Sequence, residues 1–215
     1  GQSRPVRDDL LDTAPHGHVD LDRGLVVSCN AYFAQLAQSI GPQAVLDAAS
    51  LFQISVARTP TTAGLRSMLA HVGYGQGEAV VTPLKLARVS AAIAAGGAIV
   101  PVRWEPASAG AARDDTRFLP RRDAERLARA MRGVVTTGTG RSLRAHPVAI
   151  AGKTGTAEIG GAPAHAWFTG FAPAGGTGRR LAFAVLVENA GYGGRAAAPI
   201  AGAIVSAASE LGLIK

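Results

Sequence analysis

Two short stretches carry the residues whose types and spacing can do chemistry. One is Lys153-Thr154-Gly155-Thr156, set between the apolar run Val148-Ala149-Ile150-Ala151 and a series of small residues. A lysine there offers one cation, and the strand around it offers backbone, to a ligand. The chain has only three lysines, at 85, 153 and 215, so this one is not compositional noise. The other stretch is Ser28-Cys29-Asn30, just ahead of an apolar-periodic run. Serine can relay a proton, and asparagine can both donate to and accept from an amide. A lysine close to that serine would polarise it or hold a carboxylate. Gly155 would let a substrate backbone lie against the strand, and backbone N–H groups beside it can stabilise an oxyanion.

The elements that must position these residues can be read from periodicity and breakers. Residues 1–24 are polar and turn-rich. A helix is predicted from Asn30 to Ile40, with Tyr32, Phe33, Leu36, Ala37 and Ile40 on one face, and Gly41-Pro42 stops it. A second helix follows from about Gln43 to Phe52, and residues 55–72 read as irregular surface. Thr82-Pro83 opens the clearest helix, with Thr82 as N-cap and Pro83 in the first turn, and Gly96-Gly97 ends it. Residues 98–120 read as a strand and a loop. An amphipathic helix spans about Arg122 to Val135, with Leu127, Met131 and Val134 inward and Glu125 paired to Arg129. Thr136 to Gly140 form a flexible turn. Val148 to Ala151, Ala166 to Ala172 and Leu181 to Val187 read as strands, the last so apolar that it should be central and covered on both faces. A final helix, about Ala197 to Leu211, presents Ile200, Ile204, Ala208 and Leu211. Helices first and an antiparallel sheet later imply an α+β fold in one domain spanning 1–215.

Bulk composition excludes several classes. A chain of 215 residues buries roughly 70% of its unfolded surface and needs no disulfide or metal to hold a core. A single cysteine, Cys29, rules out an intramolecular disulfide framework. No apolar run approaches the length of about 18 residues expected of a membrane span. The net charge is +7, and 19 of the 22 basic residues are arginine. They are scattered, without the basic stripe and interleaved aromatics of a nucleic-acid binder, so no nucleic-acid partner is expected.

Other motif readings fail on spacing. Gly152-Lys153-Thr154 lacks the earlier glycine of a phosphate loop, because position 147 is proline. Gly73-Tyr74-Gly75-Gln76-Gly77 does not fit a dinucleotide fingerprint. His16 and His18 sit two apart, but no further Cys/His cluster joins them in sequence. Cys29 reads as a small packed side chain. His71, His146 and His165 read as structural or surface residues, and Trp167 and Phe168 as core.

The ordered set resembles the penicillin-binding, D,D-transpeptidase family, whose signatures are S-x-x-K, S-x-N and K-T-G. Ser28-Cys29-Asn30 with Ala31-Tyr32-Phe33 resembles the second signature and its helix, and Lys153-Thr154-Gly155-Thr156-Ala157-Glu158 resembles the third. Gly75-Gln76-Gly77 through Thr82-Pro83-Leu84 to Gly96-Gly97 resembles the segment between, and Trp167-Phe168-Thr169-Gly170-Phe171 the strand after. The resemblance runs from about residue 15 to the end. It implies a serine transpeptidase, β-lactamase-like fold. It also implies that Ser28 shuttles a proton toward the leaving amine and that Asn30 holds the substrate amide. Lys153 would tune Ser28 and the substrate carboxylate. Thr154 and Thr156 would contact that carboxylate across Gly155, with the Thr156 N–H as an oxyanion donor. The implied partners are D-Ala-D-Ala stem peptides of peptidoglycan, with β-lactams as mimics, outside the cytoplasmic membrane. No metal or organic cofactor is implied.

One signature is absent. The residues three before the lysines are Thr82, Ile150 and Gly212, so these residues contain no Ser-x-x-Lys. The expectation is the C-terminal part of a transpeptidase domain whose nucleophile and first helix lie in a preceding N-terminal part. That part would then be a partner of this one. Alone, these residues are expected to be inactive and to expose an apolar groove. The alternative is a non-catalytic peptide- or β-lactam-binding regulatory module with the same fold.

Overall fold

The computed structural model describes residues 6–8, 14–99, 101–103 and 116–215. Its elements follow one another as α1 (Leu21–Val27), α2 (Asn30–Ser50), α3 (Thr62–Arg66), α4 (Leu69–Gly73), α5 (Pro83–Ala94), α6 (Arg121–Thr136), a 3-10 turn (Arg141–Leu143), β1 (Ala151–Ile159), β2 (Ala162–Ala172), β3 (Leu181–Val187) and α7 (Ala197–Glu210). The strands form one antiparallel sheet in the order β1-β2-β3, so the expected α+β class holds.

Local sequence chemistry explains most boundaries. Thr82 Oγ1 accepts from Lys85 N ahead of Pro83, and Gly97 N closes the other end of α5 on Ala92 O at 2.8 Å. In α2 the predicted break appears as a kink: Gly41, at φ 83° and ψ 166°, leaves helical geometry and Pro42 restarts it. Helix α1 was not legible among the polar residues. It is capped by Asp20, whose Oδ1 accepts from Arg23 N at 2.8 Å.

The sheet separates two cores. Strand alternation sends Phe168, Ala172, Phe183 and Val185 toward α7, where they pack with Ala197, Ala198, Ala201 and Val205. On the other face Ala151 and Phe171 meet Ile93 of α5 and Met131 of α6. A third cluster, Ala37, Val56, Ala57, Leu65, Leu69 and Val72, holds the helical region together. Residues 55–72 are therefore not irregular surface: they form two short helices that bury Leu65 completely.

Several expectations change. β3 is covered on both faces, as expected, but lies at the end of the sheet among the described residues. Of the strand expected within 98–120, the described residues show one isolated bridge, Ala98 to Arg117, and residues 104–115 lie outside the description. Glu125 pairs with Arg121, at 2.9 Å, rather than with Arg129. Of the face expected inward on α7, Ala208 is buried, but the large residues point the other way. Its small residues face the sheet, while Ile200 and Ile204 are 44% and 39% exposed and Leu211 is 73% exposed. Small side chains let α7 approach closely: a Cβ on Gly202 would lie 2.8 Å from Leu143 Cδ2. Residues 136–140 are pinned, not loose, with Gly138 N on Gly133 O and Gly140 N on Val134 O.

One buried polar pair fastens α5 to the sheet. Thr169 Oγ1 lies 3.2 Å from Leu86 O and 3.0 Å from Phe183 O, and 2.8 Å from Ser90 Oγ. Its single proton goes to one of the two carbonyls, so Ser90 donates to Thr169. Thr169→Val strands the Ser90 hydroxyl at 1% exposure. It is expected to lower the unfolding free energy by about 1–3 kcal/mol, with Ser90→Ala milder because it removes the group needing a partner. Urea denaturation of the two variants measures both.

Candidate active site

The site forms where the turn between α1 and α2 meets β1. Helix α1 ends on Ser28, which takes left-handed geometry at φ 60° and ψ 47° while its neighbour Cys29 closes the turn through Cys29 N to Gly24 O at 2.9 Å. A non-glycine residue held there is strained, and such strain gathers at functional positions. The turn carries Ser28 to β1, and Lys153 Nζ donates to Ser28 Oγ at 2.7 Å and to Thr154 O at 2.9 Å. The two motifs, 125 positions apart in sequence, are thus in direct contact.

Strand register sorts the third motif. Lys153 and Gly155 pair across the ladder with Thr169 and Trp167, on the α5 side, and Thr154 and Thr156 pair with Phe168 and Ala166 on the opposite side. Thr154 Oγ1 meets Thr139 Oγ1 at 2.6 Å, joining β1 to the pinned turn after α6. Gly155 has a packing reason to be glycine: a Cβ there would stand 3.0 Å from Trp167 Cβ. Gln76 Nε2 donates to Thr156 O at 2.9 Å. In an extended strand the N–H and C=O of one residue point to the same side, so the Thr156 N–H is turned toward that same outer edge.

Asn30 stands on the first turn of α2, and its Nδ2 donates to Arg7 O at 2.8 Å, while its backbone N–H donates to Asp8 Oδ1 at 2.6 Å. The structure therefore brings Ser28 and Lys153 together and engages Asn30 with the N-terminal segment. Two contributors were missed in the sequence. Gln76 was visible as the polar centre of Gly75-Gln76-Gly77, whose glycines sit at φ 84° and 78°. Thr139 was hidden in a turn read as loose. Cys29 is buried at 4% exposure, as expected of a packed side chain.

Burial gives Lys153 its chemistry. Its amine end lies among protein atoms, and desolvation of the charged form lowers its pKa from 10.5 to about 8. Near neutral pH it is an ammonium that loses its proton readily, and the neutral amine can accept the Ser28 hydroxyl proton. The unfolded chain keeps that proton up to the ordinary lysine value. Between about pH 8 and 10.5 the unfolded state therefore binds more protons, and stability rises with pH across that window. Relative to Lys153→Met, the wild type should gain up to about 3 kcal/mol there. Urea denaturation at a series of pH values checks this, and a flat difference would contradict the burial of the charge.

Comparison with known proteins shows the family and the fold. Residues 8–206 match the family model of the penicillin-binding protein transpeptidase domain. The chain is 31% identical over 225 residues to the peptidoglycan D,D-transpeptidase PbpA of Mycobacterium tuberculosis, covering 89% of this chain and 44% of that protein. It is 28% identical over 241 residues to the peptidoglycan D,D-transpeptidase MrdA of Acinetobacter baumannii, covering 92% and 35%. The structure of penicillin-binding protein A from M. tuberculosis as a ceftriaxone acyl-enzyme superposes with a TM-score of 0.72 at 31% identity, covering 88% of this chain and 48% of that one. The chain thus spans less than half the length of these relatives. With its serine and lysine motifs in contact on the matching fold, the chain belongs to the penicillin-binding protein transpeptidase family.

Proposed function

We propose that these residues form the substrate-holding wall of a peptidoglycan D,D-transpeptidase that cross-links D-Ala-D-Ala stem peptides through a serine acyl-enzyme. The observation that carries this reading is the 2.7 Å contact between Lys153 Nζ and Ser28 Oγ. In it, a lysine whose pKa is lowered to about 8 passes a proton through Ser28 to the leaving amine. Thr154, Gly155 and Thr156 bind the terminal carboxylate and backbone of the donor peptide along the outer edge of β1, and the Thr156 N–H serves the oxyanion. Asn30 binds the peptide amide. The attacking serine and its activating lysine, absent from these 215 residues as a Ser-x-x-Lys, come from another part of the same protein. Ile200, Ile204 and the outer edge of β3 are where that part would pack. The site works extracytoplasmically, where its polymer substrate is, and takes β-lactams as substrate mimics.

A labelled penicillin tests the reading. The full-length protein should form a covalent adduct, and Lys153→Ala or Ser28→Ala should slow acylation by about 10²- to 10⁴-fold, the usual worth of a positioned acid–base group. The adduct should map outside residues 1–215. An adduct on any residue of this stretch would overturn the assignment of the nucleophile. Reversible binding without any adduct would favour a regulatory binding module instead.

A further inference from the structure

Among the described residues β1 is an end strand of the sheet, and its outer edge is closed from within the chain. A peptide added to such an edge pairs through alternate backbone N–H and C=O groups. Thr154 and Thr156 share one side of the ladder, because the direction of these groups alternates along a strand. Both of their carbonyls already have donors: Thr154 O takes Lys153 Nζ at 2.9 Å, and Thr156 O takes Gln76 Nε2 at 2.9 Å.

The second contact has the form of a peptide contact. Gln76 lies 80 positions before Thr156, on the turn after α4, and its carboxamide N–H is the same kind of donor that a peptide bond offers. The turn holds its main chain firmly. Gln76 N donates to His71 O at 2.9 Å and Gly75 N to Val72 O at 3.0 Å, and a Cβ on Gly77 would stand 2.9 Å from Met68 Cε. Gln76 itself is only half-buried. Rotation about its side-chain bonds takes the carboxamide off Thr156 O and into water without disturbing the turn. An unpaired edge invites pairing with any extended chain, so a carboxamide over this carbonyl also keeps the edge closed while the site is free.

We propose that Gln76 is an internal competitor for the edge of β1: its carboxamide caps Thr156 O in the free protein, and the amide N–H of the donor peptide displaces it. In the transpeptidase reading, on which this rests, the donor peptide lies along that edge. The exchange gives up one hydrogen bond and gains one, so the ligand's N–H contributes little net affinity while Gln76 is present. Without the glutamine the carbonyl would be bonded to water only, and the same N–H would count for the usual net worth of a hydrogen bond. A ligand with no N–H at that point leaves Gln76 where it is.

Acylation of the full-length protein by two β-lactams tests this: benzylpenicillin, whose ring carries an acylamino N–H, and imipenem, whose ring carries a hydroxyethyl group in its place. The readout is the ratio of their second-order acylation rate constants, benzylpenicillin over imipenem. Gln76→Leu and the smaller Gln76→Ala should each raise that ratio by about 2- to 10-fold. A general loosening of β1 would slow both reagents and leave the ratio alone. An unchanged ratio would mean that Gln76 only braces the strand or that Thr156 O accepts both donors at once, and a falling ratio that Gln76 helps to hold the amide; either would overturn the proposal. A wild type that forms no adduct with either β-lactam would overturn the transpeptidase reading itself, and this proposal with it.

Discussion

The hydrogen bond from Lys153 to Ser28 joins the turn between α1 and α2 to β1. A buried amine must find acceptors or give up its charge, and here the acceptors are one hydroxyl and one carbonyl, Ser28 Oγ and Thr154 O. That requirement seats the turn carrying Ser28 against β1, beside the apolar packing of Ala151 and Phe171 on Ile93 and Met131. The surrounding contacts hold each partner in place. Thr139 and Gln76 grip the strand on Thr154 and Thr156. Ser90 and Thr169 lock the sheet to α5 directly behind Lys153, since Thr169 is its cross-strand partner. The hydrogen-bonded end of α1 keeps Ser28 in a backbone geometry it would not choose.

Much of this was legible in the residues themselves. The ends of α5 are written as Thr82-Pro83 and Gly96-Gly97, and the kink of α2 as Gly41-Pro42, because caps and breakers act locally. The pairing of Ser28 with Lys153 was legible only through the motif set, since nothing local brings residues 125 positions apart into contact. What failed were judgements that depend on the partner surface. In α7 the large Ile200 and Ile204 drew the expected buried face toward themselves, yet the sheet accepts Ala and Gly because close approach fills more space there than a bulky side chain would. The turn at residues 136–140 looked loose because glycines are permissive. In the fold Gly138 is wedged where a Cβ would collide with Val26 O, 2.2 Å away, and Gly140 fits tightly against Phe168 and Val134.

The same distinction applies inside the site. Gly155 reads as room for a substrate, and the structure adds a cross-strand reason, the Trp167 side chain standing against it. The two reasons are compatible, since they concern opposite demands: Trp167 fills one face of the strand, and a peptide added along the edge would use backbone groups.

In the proposed function the site has two walls, and the lowered basicity of Lys153 sets its logic. An ammonium facing a carboxylate would be held charged, and could steer a substrate but not yield a proton near neutral pH. Lys153 is shifted by desolvation instead, so it can give up its proton close to neutral pH while its N–H group holds Ser28 Oγ at 2.7 Å. A substrate carboxylate arriving at Thr154 and Thr156 would raise that pKa again by stabilising the ammonium. Binding would then recharge the lysine when a proton is needed for the departing amine, and release of the product would relax it. Substrate binding and proton supply would thus be coupled through one buried nitrogen, which is why its burial, more than its position on the strand, is the property the fold has to maintain.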